Sequence, residues 1–253
     1  MATPAEAVER TFKPLQQFTR GWMMAEATTT YGLELGMQNG HDFRHVGRAG
    51  VLGSCPLDVA IGALAFVAPD LVEQAWTGRP PGMSHAEVAE HYAGLVIGWG
   101  DAALSVFDPD RLDRLDVLGR RIIDAAPASL GALFAGWRSL PAPDTVFGRV
   151  ALTTQVLREM RGAAHINAII SVGITPLDAI LASTNAPPRT GPGYAEAMGF
   201  KGPFRDPAEV REQRLEAEAI TARIMAGFYA TLSAEELDDF GEIVETTRNA
   251  IDM

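Results

Sequence analysis

Leu157-Arg158-Glu159-Met160-Arg161-Gly162-Ala163-Ala164-His165 is the centre of a stretch, Val146 to Leu181, whose reading decides the fold. At about 100° per residue, Val146, Val150, Leu157, Met160, Ala164 and Ala168 fall on one side, which predicts a long amphipathic helix built for a core. Arg158, Arg161 and His165, spaced i, i+3, i+7, form a neighbouring stripe, so cationic groups stand at the edge of the apolar face. Beyond His165 the sequence is apolar on all sides through Ile166, Ile169, Ile170 and Val172, which predicts that the end carrying His165 is enclosed. A buried histidine beside an arginine needs polar partners.

The stop is equally legible. Gly173 suits a left-handed position after a helix, Thr175 caps a new one, Pro176 takes its first position and Asp178 its third. Helix, glycine turn and helix make the skeleton of a helix-turn-helix unit. Leu157-Arg158-Glu159, Arg161-Gly162 and His165, together with Gly47-Arg48-Ala49 and Leu52-Gly53 upstream, resemble an actinobacterial helix-turn-helix family of winged-helix, MarR-like proteins, mostly without an assigned activity. The resemblance spreads over most of the chain. It implies a fold more than a function, with a setting in bacterial specialised metabolism. Members often carry a second histidine where Met160 stands, and aromatic residues around His41 to His45.

The chain has 253 residues, enough for one large domain or two small ones, and its net charge of −11 argues against a surface matched throughout to nucleic acid. Met1 to Arg10 lacks a signal-peptide core, and no apolar run approaches the roughly 18 residues of a membrane span, so a cytoplasmic protein without membrane contact is expected. A single cysteine, Cys55, excludes an intrachain disulfide and fits a reducing compartment.

No strand-rich segment is present, and the expected class is all-α. Pro141-Ala142-Pro143-Asp144 is the best linker, so an N-terminal helical domain over residues 1–140 and a degenerate helix-turn-helix or winged-helix domain over 144–253 are expected. Pro4 to Leu35 reads as helix with an early break at Pro14, and glycines 94, 98 and 100 suggest a closely packed neighbour. From Ser183 to Pro207 the chain loosens around Pro187-Pro188, Gly191-Pro192-Gly193 and Gly202-Pro203. In a winged helix this is the place for a shortened helix at Tyr194 to Gly199 and a vestigial strand at Phe200 to Phe204; the alternative is a lid over a pocket.

Chemistry-bearing residues gather in two other places. Thr28-Thr29-Thr30, poor helix formers, stand with Glu26 and Tyr31 in a helix that reads either as a pocket wall or as a helix-helix seam. Gly36 to Gly53 carries His41, Asp42, His45 and Arg48. On a helix the two histidines share a face at i, i+4, the spacing of a metal pair, yet no third ligand is evident and no metal or other cofactor is expected. Acid-base work suits them better, because imidazole titrates near pH 6.5. Arg48, among small neighbours, reads as a fork for a carboxylate or as an ion pair with Glu26 or Asp58.

Two functions follow. A ligand-sensing transcriptional regulator fits the resemblance, but Pro176 to Ser183 offers no Arg, Asn, Gln or Lys to base edges, so specific DNA binding is disfavoured. The favoured reading is a small-molecule-binding protein, with cofactor-independent acid-base chemistry on a polar organic ligand held between the two domains. His165, His41, His45 and Asp42 are the proton-transfer candidates, and Arg48, Arg161, Arg158, Glu26 and Tyr31 the ligand-binding ones. A metal-dependent enzyme using His41 and His45 is a further alternative, and a homodimer is compatible with the sequence.

Overall fold

Among the described residues, side-chain caps open six of the fourteen α-helices, including the long central one. A computed structural model describes residues 1–185 and 188–251, so Pro187 lies outside the described residues. Every regular element among them is helical, as the sequence predicts. In chain order they are α1 (Pro4–Phe18), α2 (Arg20–Met23), α3 (Glu26–Glu34), α4 (Phe43–Ala49), α5 (Leu57–Ala63), α6 (Pro69–Thr77) and α7 (His85–Ala103). Then follow α8 (Pro109–Asp124), α9 (Ala132–Arg138), α10 (Val146–Ser171), α11 (Pro176–Leu181), α12 (Gly191–Ala197), α13 (Arg211–Tyr229) and α14 (Ala234–Ala250). Among the described residues no helix is long and apolar enough to cross a membrane.

Reciprocal capping boxes open α1 (Thr3 with Glu6), α7 (Ser84 with Glu87), α11 (Thr175 with Asp178) and α14 (Ser233 with Glu236). Each satisfies backbone N–H groups that the first turn leaves free, a contribution of about 1 kcal/mol. Gly173 takes φ +77° after α10, the left-handed conformation that only glycine adopts without strain. The predicted long helix, glycine turn and short helix therefore stand as expected.

What α10 packs against was not in the pattern. It runs through the middle of the molecule and packs against α7, α8, α9, α13 and α1. Its polar residues Thr153, Thr154, Gln155 and Glu159 are consequently buried along with the apolar stripe. The main core joins it to Trp22, Phe43, Tyr92, Leu115, Phe134 and Trp137. Gly100 of α7 makes the close crossing with α10: a Cβ there would lie 2.6 Å from the Phe147 carbonyl oxygen. Gly94 and Gly98 face open space, so the glycine-spaced face reduces to one close contact.

Several expectations are corrected. Pro14 sits inside α1, because the apolar face of Thr11, Leu15 and Phe18 continues across it, and the break comes at Thr19. Phe200 to Phe204 forms no strand; both aromatic rings pack onto Ile180, Leu181 and Ala195, with no partner strand to pair with. The apolar tail of α10 is only partly enclosed: His165 is buried, whereas Ile170 is 65% exposed. The second helix of the helix-turn-helix unit is itself interior, with Asp178, Ala179, Ile180 and Leu181 buried.

Candidate functional site

Glu159, at the end of the buried polar run of α10, looks into a cavity of about 1070 Å³ bounded by α2, α4, α5, α9, α10 and α12. Met23, Leu64, Phe66, Val67, Leu133 and Met198 make its apolar wall. The same wall holds Arg20, Arg44, Arg48, Arg158 and Arg189 but a single carboxylate, Glu159. A smaller chamber of about 250 Å³ adjoins it toward α13 and α1. Gln16, Arg48, Phe66, Arg158, Gly162 and Tyr194 belong to the walls of both.

Glu159 is the hub of the larger chamber. It is 3% exposed, and it accepts two hydrogen bonds from Arg48, from Nε at 2.9 Å and Nη2 at 3.0 Å. It accepts two more, each at 2.8 Å, from Arg158 Nη1 and Gln155 Nε2. Burial alone would raise its carboxyl; the Arg48 and Arg158 charges outweigh that and hold it below the usual carboxylate range. Arg48 is raised, since burial opposes its charge less than Glu159 favours it. Arg158 is lowered, by burial first and then by the neighbouring Arg48. Two guanidinium groups thus share one carboxylate, and the cluster keeps one uncompensated positive charge, carried mostly by Arg158.

His45 sits one turn before Arg48 on α4, 5% exposed. Its Nε2 accepts from Arg44 Nε at 3.4 Å, which leaves the ring proton on Nδ1, a buried donor without a protein acceptor among the described residues. Burial, then the Arg44 and Arg48 charges, push its pKa down to about 3, so it is neutral at pH 7.

The smaller chamber holds the other predicted pair. His165 is 7% exposed and stacks on Phe66, with ring centroids 5.7 Å apart. Thr221 Oγ1 donates its only proton to the Ala217 carbonyl at 2.7 Å. At 2.9 Å from that hydroxyl, His165 Nδ1 must therefore be the donor, and Nε2 carries a free lone pair. Burial first pushes the His165 pKa down to about 4, with Arg214 and Arg161 adding to the effect and Glu218 opposing it. Arg161 itself bridges Glu218 at 2.7 Å, a carboxylate that Arg214 shares, and lies over the Phe12 ring.

The structure thus brings together His45, Arg48 and Arg158 in one chamber, and Arg48, Arg158, Arg161 and His165 around the other. It leaves four predicted residues elsewhere. His41 lies in a 3-10 turn, Gly40–Asp42, ahead of α4, so it is exposed and pairs with Thr29 rather than sharing a face with His45. Asp42 is buried against Gln74 and Asn39, its carboxyl raised by burial. Tyr31 hydrogen-bonds His91, and Glu26 stands exposed at the start of α3. The threonine run is a seam: Thr28 Oγ1 donates to the Trp22 carbonyl. Arg48 pairs with neither Glu26 nor Asp58 but with Glu159, 111 positions away. Glu159, Arg44, Tyr194, Glu218 and Thr221 were missed as site residues; Glu159, inside the decisive stretch, and Arg44, in the chemistry-rich run Gly36 to Gly53, carried a signal. Among the described residues no cluster of three or more His, Cys, Asp or Glu side chains forms a metal site.

A family model described as a helix-turn-helix family matches residues 5–252. No curated protein and no solved structure matches the chain.

Proposed function

The chain belongs to a helix-turn-helix family, and from that premise we propose that it is a small-molecule-binding protein whose ligand occupies the paired chambers between residues 1–140 and 144–253. The observation that supports this best is the larger cavity itself. Its volume, at the upper end of the usual range for organic ligands, is lined by apolar side chains with a few convergent polar groups. The chemistry open to it is cofactor-independent: His165 Nε2, fixed as an acceptor by the Thr221 relay, takes a hydrogen bond or a proton from the ligand. A depressed pKa makes His165 a weak base, so proton transfer requires an acidic ligand proton. We set this protein in the cytoplasm, within bacterial specialised metabolism.

A thermal-shift screen of organic metabolites, repeated on His165→Gln, tests the reading. Gln keeps size and hydrogen bonding but removes the titrating nitrogen. Proton-transfer chemistry predicts conversion reduced about 10²-fold or more with the melting temperature nearly unchanged. A fall of several degrees with ligand handling intact makes His165 a structural tie to α13 instead.

Family membership favours a second reading, a ligand-responsive regulator. The buried α11 lacks base-reading side chains, which weighs against it. Nanomolar, sequence-dependent retardation of DNA from the protein's own upstream region in a gel shift establishes the regulator and displaces the first reading.

A further inference from the structure

In a chain of net charge −11, carboxylates are abundant, and most arginines around the main core have one. Arg10 pairs with Glu245, Arg114 with Asp239 and Arg149 with Asp113, while Arg161 and Arg214 share Glu218 in the smaller chamber. The large chamber departs furthest from this pattern. Arg20, Arg44 and Arg189 form no ion pair among the described residues, and Arg158 shares Glu159 with Arg48, whose bidentate contact takes the better geometry. Arg44 is left with two weak contacts, to His45 Nε2 and to the Met24 sulfur at 3.8 Å. The two residues best placed by sequence to hold negative charge, Arg48 and Arg161, are therefore already occupied by the protein's own acids. In the large chamber the unmet charge belongs to Arg158 on α10 and Arg44 on α4.

A guanidinium held half-buried without a full counter-charge costs stability that a bound anion returns, and its planar fork matches a carboxylate. The rest of the wall is apolar, so a small inorganic anion leaves most of the cavity unfilled. We propose that the large chamber takes an amphipathic organic carboxylate, its head group on Arg158 and Arg44 and its apolar body along Leu64, Phe66, Val67 and Leu133. The buried Nδ1–H of His45 stands in the same wall as a further unmet donor. The Arg48–Glu159–Arg158 cluster lacks one negative charge and Arg44 has no acid of its own, so the wall receives an anionic head, and the planar carboxylate that matches the guanidinium fork is the one assigned. Arg20, exposed, and Arg189, half-buried, attract the anion without fixing it. This inference rests on the cavity being a ligand site, and it replaces the polar ligand expected from sequence with a largely apolar one.

Calorimetric titration of the full chain with octanoate, octanol and octyl phosphate tests it. Octanoate should bind at least about tenfold more tightly than octanol, and its affinity should fall as salt rises. Arg158→Gln and Arg44→Gln should each lower octanoate affinity by about tenfold or more and leave octanol unchanged; Arg44 lies at the half-exposed rim, so its variant keeps the test valid if Arg158→Gln folds poorly. Gly162, whose missing side chain faces open space between the two chambers, provides the location control. Loss of both octanoate and octanol in Gly162→Phe places them in the cavity. Equal affinity for acid and alcohol, or tighter binding of octyl phosphate, overturns the carboxylate assignment and leaves the cavity reading standing. Absence of binding by any of the three overturns both.

Discussion

Replacing Glu159 by Gln removes one charge from the centre of the molecule and nothing else of size. In the native protein that carboxylate is 3% exposed and receives four hydrogen bonds, three of them from guanidinium groups. Breaking a buried pair by removing one partner costs about 3–5 kcal/mol, because the other partner is left charged and desolvated. Arg48 has no exit, with 13% of its side chain exposed, whereas Arg158, at 26%, can turn toward the cavity. The cost should therefore fall at the low end, about 3 kcal/mol. At this chain length each kcal/mol moves the melting temperature by roughly 2–4 °C, so a drop of about 6–12 °C is expected by circular dichroism. Arg48→Gln alone leaves Glu159 supported by Arg158 and should cost less. The double variant should be more stable than the sum of the singles predicts, with a coupling of about 1.5 kcal/mol or more. Acetate should raise the melting temperature of Glu159→Gln more than that of the wild type, by supplying the missing carboxylate. A loss below about 1 kcal/mol for Glu159→Gln, or strict additivity in the double variant, would refute the idea that this cluster is an electrostatic unit.

Three further outcomes are expected. Stability should fall as pH drops below about 6.5, since His45 and His165 are held neutral with pKa values pushed to about 3 and about 4, so the unfolded chain takes up their protons first. Each histidine contributes a slope of about 1.4 kcal/mol per pH unit between its unfolded and folded pKa; urea unfolding at several pH values should show it, and His165→Gln should remove roughly half. On α7, Gly100→Ala should cost about 2 kcal/mol or more, because its Cβ would meet the Phe147 carbonyl oxygen at 2.6 Å, while Gly94→Ala, which faces open space, should gain up to about 1 kcal/mol of helix propensity. If both alanines behave alike in thermal melts, the close crossing of α7 and α10 is wrong.

The sequence alone determined the capped helix starts and the glycine stop after α10, but not the end of α1, which runs past Pro14 to Phe18. Thr175 with Asp178, Ser84 with Glu87, Ser233 with Glu236 and the left-handed Gly173 act on backbone groups within four residues, so their chemistry is complete before the chain folds. The period of α10 likewise announced a core helix with His165 and Arg158 at its edge. Tertiary structure decided which charges are used up. Glu159 reaches Arg48 across 111 positions, Arg161 reaches Glu218 across 57, and His165 reaches Thr221 across 56. Nothing in local spacing encodes those partners, because they are set by how α13 docks on α10 and how α7 carries both α4 and α10. The same limit explains His41 and His45: their spacing suits one helix face, but the turn at Gly40–Asp42 places His41 outside and leaves His45 within. An ion pair needs two side chains and a shared low-dielectric place to meet, and only packing supplies the second.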